Sequence, residues 1–451
     1  MSWLKRPFYL YLLAFMIPAV LWALVSFVNH ACFRTYALDL GMMNQALYQF
    51  SIGEEPMFTQ GLGEPMPFLC DHFSPALVLF VPFQWFFGSF GLLVVQWLAA
   101  LLTGWLLLRW VQGRWGDVRL GIWAHVLWAA SFGIWGAISF DMHMNVLLAC
   151  GMAAMLFLAE RRKWVPLGWV MLLMIFSKET GGLIAGCMAL ALAMDRSLDG
   201  LSRKLLGLFG FISICIFLLV LMWWMPSRCG TMQAASHATY AHLGNSWGEI
   251  VWSALNHPLE MLRFMIDRQE GGLARTKVVS WMVILLSGGW ACWSAPRYLI
   301  VFIPLVALRF LSSNALFWDV NAHYSVELSV VLTLWWVHAL ARLSSLRMRH
   351  AFSLIGALLV GFVSWRVVVS RGIQSNPFSR LHYCSKLSLD ELHQTMQLIN
   401  RESVCATSVL CPHIYTCSEV RLFPNSASSK WILLEKKPVD TFPISSEEYL
   451  D

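Results

Sequence analysis

Apolar residues in this chain come in long runs rather than at alternate positions. The runs fall at approximately 8–28, 90–110, 119–139, 143–160, 164–179, 180–195, 205–225, 276–293, 297–312, 325–342 and 351–370. Apolar runs of about 17–25 residues predict helices that cross a bilayer, because hydrocarbon offers backbone N–H and C=O groups no partner outside the helix. About eleven such helices are expected, a count that depends on how the shorter runs are divided. The first run follows Lys5-Arg6 and exceeds the core of a signal peptide, about 7–15 residues, so it reads as a retained anchor.

Charge then orients the runs. Lys5-Arg6, Arg109/Arg114/Arg119, Arg161-Arg162-Lys163, Arg196/Arg203/Lys204, Arg297 and Arg342/Arg347/Arg349 occupy alternate connections. The positive-inside rule puts these on the cytoplasmic side together with the N-terminus, and an odd number of spans puts the C-terminus outside. The opposite side receives the long connections 29–89, 226–275 and 313–324 and the tail from about residue 371. It also collects Asp39, Asp71, His72, Asp141, His143, Glu179, His323 and Glu327. A charge at mid-bilayer costs at least about 2.5–3.5 kcal/mol, so ionisable groups gathered at one face point to a single extracytoplasmic cavity.

The first long connection is the most polar. Leu40, Met43, Leu47 and Phe50 share one face of a helix opening at Asp39, with Asn44, Gln45 and Gln49 elsewhere, which predicts an amphipathic helix on the outer membrane surface. Asp39 is either the N-cap of that helix or a chemical group. Gly53, Pro56, Gly61, Gly63, Pro65 and Pro67 predict an irregular loop, and Ser74-Pro75 a helix start. The run Ala76 to Phe87 is too short to span and predicts a second surface or re-entrant helix. Asp71-His72, just ahead of it, is either a local hydrogen-bonded turn or part of a site.

Further along, Asp141 and His143 sit at one outer turn and Lys178-Glu179 at the next, the latter either a mutual ion pair or a pair at the cavity mouth. Segment 226–275 predicts helices over the cavity, with His237, His242 and His257 as surface residues. Arg309 and Arg366 either snorkel to the interface or hold a lipid phosphate. His323 and Glu327, four apart, share a helix face and can pair, hold a metal or orient a substrate. In the tail, Ser388-Leu389-Asp390-Glu391 is a capping box for a helix to about Asn400, and Ser403 to Val409 and Lys430 to Leu434 read as strands.

Composition agrees with the pattern. Of 451 residues 58% are hydrophobic and only 13% charged, against roughly 25% charged in soluble domains. The net charge of +6 lies largely in short connections, so it sets orientation and implies no nucleic-acid partner. The 11 cysteines lack metal-type spacing; Cys150, Cys187 and Cys215 fall in apolar runs as small core residues, while Cys384, Cys405, Cys411 and Cys417 can form disulfides in an oxidising compartment. The fold class expected is an all-α polytopic membrane protein, residues 1–372, followed by a small extracytoplasmic α/β domain, 373–451.

Leu38-Asp39-Leu40-Gly41, Gln45-Ala46-Leu47-Tyr48, Asp71-His72-Phe73-Ser74-Pro75, Asp141, His143, Lys178-Glu179, His323-Tyr324 and the tail segments Ser403-Val404, Ala406-Thr407, Pro412-His413 and Phe423-Pro424 follow one another in an order that resembles the bacterial membrane proteins grouped as domain of unknown function 2079. Thr180 stands where an acid is expected after Lys-Glu. That family in turn resembles the GT-C glycosyltransferases, which take sugars from polyprenyl-phosphate donors. The resemblance implies an inner-membrane enzyme whose first outer loop carries the catalytic acid. It implies that Asp39, with Asp71 or His72, acts as general base on an acceptor hydroxyl. Gln45, Asp141, His143, Lys178, Glu179, Arg309, His323 and Tyr324 would line the substrate, with the phosphate held by Lys178, Arg309 or a divalent metal ion. Asp39, Asp71 and His72 are equally suited as ligands of such an ion. A lipid-linked sugar, membrane lipid and an acceptor are the partners implied. A transporter, flippase or non-catalytic binder of a lipid-linked substrate is the alternative from another class.

Overall fold

The computed structural model describes residues 6–61, 64–229, 239–266, 274–384, 387–399, 401–426, 429–435, 442–445, 447 and 448. The chain is mainly helical and divides into two compact units. The larger is built from Met1–Val20, Ala99–Ala137 and Met144–Arg371, the smaller from Leu21–Leu98, Ile138–His143 and Gly372–Asp451.

Five helical stretches among the described residues are long and apolar enough to cross a membrane: Tyr11–Ala31, Pro75–Trp115, Gly200–Cys229, His323–Ala341 and Leu346–Val369. The bent pair Val118–Ala130 and Phe132–Ser139 makes a sixth if it counts as one span. The other expected spans are shorter helices, among them Met144–Glu160, Trp164–Ser177 and Gly181–Ala193. At 1.5 Å per residue the 13 residues of Gly181–Ala193 rise only about 20 Å, less than the roughly 30 Å of hydrocarbon. Polar turns such as Lys178-Glu179 cut the apolar stretch before it reaches full length.

Within the larger unit, close helix contacts run through small residues. Gly182 and Gly186 lie on one face of the helix Gly181–Ala193, and a Cβ at either would fall 2.8 Å or less from the Ser213 or Gly210 carbonyl oxygen or the Ile214 side chain of the helix Gly200–Leu219. This is the small-residue packing expected where lipid supplies no hydrophobic drive between helices. The span His323–Ala341 is the most enclosed of the five.

The smaller unit is organised around the tail. Strands β3 (Val404–Ala406), β4 (Val420–Leu422) and β5 (Trp431–Leu433) form a parallel sheet in the order β4-β3-β5. Two of these match the expected strands; β4, three residues long, has no pattern of its own in the sequence. The helix Leu387–Ile399 packs over the sheet, with Asn400 outside the described residues. Phe33 and Ala37, from the loop after the first span, enter this same core beside Val404, Ala406, Val409 and Ile414. The tail is thus one part of the smaller unit and shares a hydrophobic core with the first long loop.

Polar contacts and a covalent bond reinforce that core. Asn29 Nδ2 donates to the Gln374 carbonyl at 2.9 Å, and Arg34 donates to the carbonyls of His382 and Leu381 at 2.8 and 3.0 Å. Cys32 and Cys384 are joined by a disulfide. Cys405, Cys411 and Cys417 are free thiols buried in the unit, so three of the four tail cysteines named as disulfide candidates serve as packing residues instead. Burial pushes the Cys405 and Cys417 thiols up to about 11, which keeps them protonated and unreactive.

The Gly- and Pro-rich loop is more regular than expected. Here β1 (Met57–Phe58) and β2 (Met66–Pro67) pair antiparallel. Pro75 does open a helix, a 3-10 turn over Pro75–Phe80 that leads into Val81–Phe87. The expected amphipathic helix forms at Met42–Ser51 but is enclosed rather than laid on a surface. Its polar side chains find protein partners, as burial requires: Asn44 Nδ2 donates to the Ser89 and Pro412 carbonyls, and Gln49 Oε1 accepts from Met57 N–H at 2.8 Å.

Candidate functional site

Asp39 does not cap the helix that follows it. It lies inside a wide π-helical turn, Ala37–Gly41, closed by Gly41 N–H donating to the Tyr36 carbonyl at 3.0 Å. Neither Tyr36 nor Gly41, the residues at the two cap positions, makes a side-chain cap bond. Space is tight at the end of the turn: a Cβ on Gly41 would meet the end of the Gln60 side chain at Oε1 and lie 3.3 Å from Cys411 Cβ and the Tyr36 carbonyl oxygen. Such π-helical turns recur at functional sites because they re-aim side chains out of helical register.

What holds the turn is a second acid. Asp141, fully buried, accepts with Oδ2 from the N–H groups of Tyr36 at 2.6 Å and Leu40 at 3.4 Å. The Ala37 N–H donates to Ser408 Oγ at 3.3 Å. Asp141 Oδ1 has no hydrogen-bond partner among the described residues. Burial pushes the Asp141 carboxyl well above the usual carboxylate range, and the negative Asp39 beside it pushes the same way, against the pull of the two backbone donors. A proton retained there belongs on Oδ1, because Oδ2 already accepts two N–H groups.

His143 completes the group. Its Nδ1 lies 3.7 Å from Asp39 Oδ1, with the imidazole almost wholly buried and the Asp39 side chain 25% exposed. Gln96 fixes the turn that carries both partners: its Nε2 donates to the Asp141 carbonyl at 3.1 Å, and its Oε1 accepts from His143 N–H at 2.8 Å. Sequence reading passed over Gln96, whose one signal is an amide inside the apolar run Leu92 to Leu98. Together these residues form two carboxylates and an imidazole, one acid buried and raised in pKa, the other reaching the surface. Environments that push paired acids apart are the usual basis of acid and base assignments.

The remaining expected residues divide between the units. In the smaller, Asp71 Oδ2 and His72 Nε2 approach each other to 3.7 Å, both about a third exposed. Gln45 is buried, and its Oε1 accepts from Thr59 Oγ1 at 3.0 Å and Gln60 Nε2 at 2.9 Å, so it braces the loop.

In the larger unit, Lys178 reaches Asn145 rather than closing the turn with its neighbour: Lys178 Nζ donates to Asn145 Oδ1 at 3.0 Å. Asn145 Nδ2 donates to Glu327 Oε1 at 2.6 Å, and Arg309 Nη2 donates to Glu327 Oε2 at 3.1 Å. Glu327 therefore pairs with Arg309, not with His323 one turn before it, and Arg309 is buried instead of snorkelling. The His323 ring sits 3.9 Å from that of Tyr324, which stacks on Phe317 at 4.4 Å and faces Lys178 Nζ at 5.9 Å. Glu179 is partly buried in the turn before Gly181. Sequence reading also missed Lys277, wholly buried, whose Nζ donates to the Phe264 and Phe310 carbonyls at 2.8 and 3.1 Å.

Of the expected surface histidines, His242 stacks on Phe264 at 4.4 Å, His257 lies 3.9 Å from Glu260, and His237 falls outside the described residues. Among the described residues no three His, Cys, Asp or Glu side chains converge as a metal site.

No curated protein matches the chain. A family model described as Predicted membrane protein (DUF2079) matches residues 29–448 of the 451, and the chain belongs to that family.

Proposed function

We propose that this protein is a GT-C-type membrane glycosyltransferase that moves a sugar from a polyprenyl-phosphate donor to an acceptor hydroxyl on the extracytoplasmic side of a bacterial inner membrane. The observation that carries the reading is the acid pair: Asp39, partly exposed, beside Asp141, buried and raised in pKa by burial and by Asp39. Asp39 is the general base. It takes the acceptor proton as the acceptor oxygen attacks the anomeric carbon, and the bond from that carbon to the lipid phosphate breaks with its electron pair leaving on the phosphate. Such a base contributes about 10²–10⁴-fold. Asp141 sets the backbone turn that aims Asp39, and His143 steadies the carboxylate electrostatically. Asp71 and His72 are a secondary exposed pair in the same unit.

The same reading takes the protein as crossing the membrane about eleven times, with shorter helices completing the set, N-terminus inside and tail outside. The disulfide between Cys32 and Cys384 supports an oxidising compartment for both the first loop and the tail.

A second reading, transport or non-catalytic binding of a lipid-linked substrate, is favoured by the buried Lys178–Asn145–Glu327–Arg309 chain, since ionisable groups among apolar helices often mark a substrate path. The two are separated by supplying membranes with radiolabelled polyprenyl-phosphate sugar. A glycosyltransferase moves label off the lipid to a new product; a transporter or flippase changes the leaflet of the label while it stays lipid-linked.

A further inference from the structure

The helices Trp247–Asn256 and Pro258–Ile266 leave an apolar face without protein cover among the described residues. Trp252, Leu255, Leu259, Leu262 and Ile266 are all exposed, with Trp252 at 70% and Leu255 and Leu259 at 72%. Within each helix they share a face, Trp252 and Leu255 on the first and Leu259, Leu262 and Ile266 on the second. Ile250, Met261 and Met265 are buried on other faces, and Asn256, Glu260 and Arg263 form an exposed polar edge. Each helix therefore has a side packed on protein, an apolar side and a polar side. That division is the mark of a helix lying at a membrane surface, where apolar side chains enter the acyl boundary and charged ones stay in water.

What covers the stripe follows from what it adjoins. The helix Trp247–Asn256 packs on Val220–Trp224, the outer part of the apolar stretch Gly200–Cys229, and Gly248 sits beside the Met222 side chain. There Leu219, Met222 and Trp223 are themselves exposed, on a stretch long and apolar enough to span. The surface such a span turns away from protein faces lipid, and the stripe continues it. The other end is anchored: Lys277 Nζ donates to the Phe264 carbonyl and Trp281 Nε1 to the Met265 carbonyl at 3.1 Å, occupying carbonyls that the last turn of a helix leaves open. These bonds fix which face of Pro258–Ile266 turns outward.

We infer that Trp247–Asn256 and Pro258–Ile266 form an interfacial helix pair seated on the lipid surface of the membrane that the spans cross, with the exposed Trp252 in the headgroup belt where tryptophan is favoured. The helix pair is thus a membrane contact of the larger unit, where the sequence pattern suggested helices over a cavity.

Nitroxide labels test this in the full chain reconstituted in lipid nanodiscs, after Cys215→Ser removes an exposed free thiol. Labels at Leu255→Cys and Leu259→Cys should collide more with oxygen, which partitions into lipid, than with a water-soluble nickel chelate. The order should reverse at Glu260→Cys on the polar edge. Nickel collisions dominating at all three positions would overturn the inference by placing the stripe in water. Protection from both reagents at Leu255→Cys and Leu259→Cys would overturn it by placing a second copy or another protein there.

Discussion

In the larger unit the buried Glu327 carboxylate meets the Arg309 guanidinium at 3.1 Å and the Asn145 amide at 2.6 Å; in the smaller unit the buried Asp141 carboxylate meets two backbone N–H groups and the like charge of Asp39. Both carboxylates are removed from water, but only the first has an opposite charge against it. A buried acid with a cation in contact has its charge compensated in place. Burial and the charge of Asp39 both raise the Asp141 carboxyl, which under the proposed function leaves Asp39 to act as the base. Under the proposed function the contrast separates a compensated charge from a chemically used one.

The sharpest break of the comparison is to take away the cation. Arg309→Met leaves Glu327 buried without its partner and should cost about 3–5 kcal/mol, read as a large fall in thermal unfolding temperature of the purified protein in detergent. Arg309→Met combined with Glu327→Leu should recover most of that loss, because an apolar pair of similar volume replaces an ion pair with little penalty. A combined variant no better than the single one would mean that Glu327 does more than neutralise Arg309.

A smaller effect is expected where backbone shape is at stake. Gly41→Ala pushes a methyl group against Gln60 and the Tyr36 carbonyl at the end of the π-helical turn. Overpacking of this kind costs about 1–3 kcal/mol, and sugar transfer should fall further than the stability loss explains, since Asp39 is aimed by that turn.

The smallest change is a slope. Asp141 holds its proton in the folded state above the ordinary carboxylate range, whereas an unfolded Asp titrates near 3.9. Above that value the folded protein binds more protons than the unfolded one, so this group's contribution makes stability fall as pH rises through the window. Asp141→Asn can still accept the Tyr36 and Leu40 N–H groups but carries no proton equilibrium. Unfolding temperatures measured across a pH series should therefore decline less steeply for Asp141→Asn than for wild type over that range, and an equal slope would mean that another group sets it.

Much of this was legible in the pattern of residues, and the rest fails for identifiable reasons. Long apolar runs announced the helices and the membrane, but not their lengths: the polar turn at Lys178-Glu179 limits the helices on either side of it to 14 and 13 residues. Asp39 and Asp141 were visible as ionisable residues outside the apolar runs, and His143 at the edge of one. That Asp141 and His143 meet Asp39, about a hundred residues earlier, rests on tertiary contacts that no local spacing records. Gln96 was hidden because one amide in an apolar run reads as tolerated core, and the π-helical turn because no period of apolar residues marks it. The pairing of His323 with Glu327 failed for the opposite reason, a valid local rule overridden by an arginine from another helix.

The most direct test of the chemical role of the acid pair is sugar transfer by Asp39→Asn, compared with wild type at equal amounts of folded protein in membranes given radiolabelled polyprenyl-phosphate sugar. The account predicts that, at equal amounts of folded protein, transfer by Asp39→Asn falls by about 10²–10⁴-fold, the usual contribution of a general base. Transfer by Asp39→Asn at the wild-type rate would contradict it.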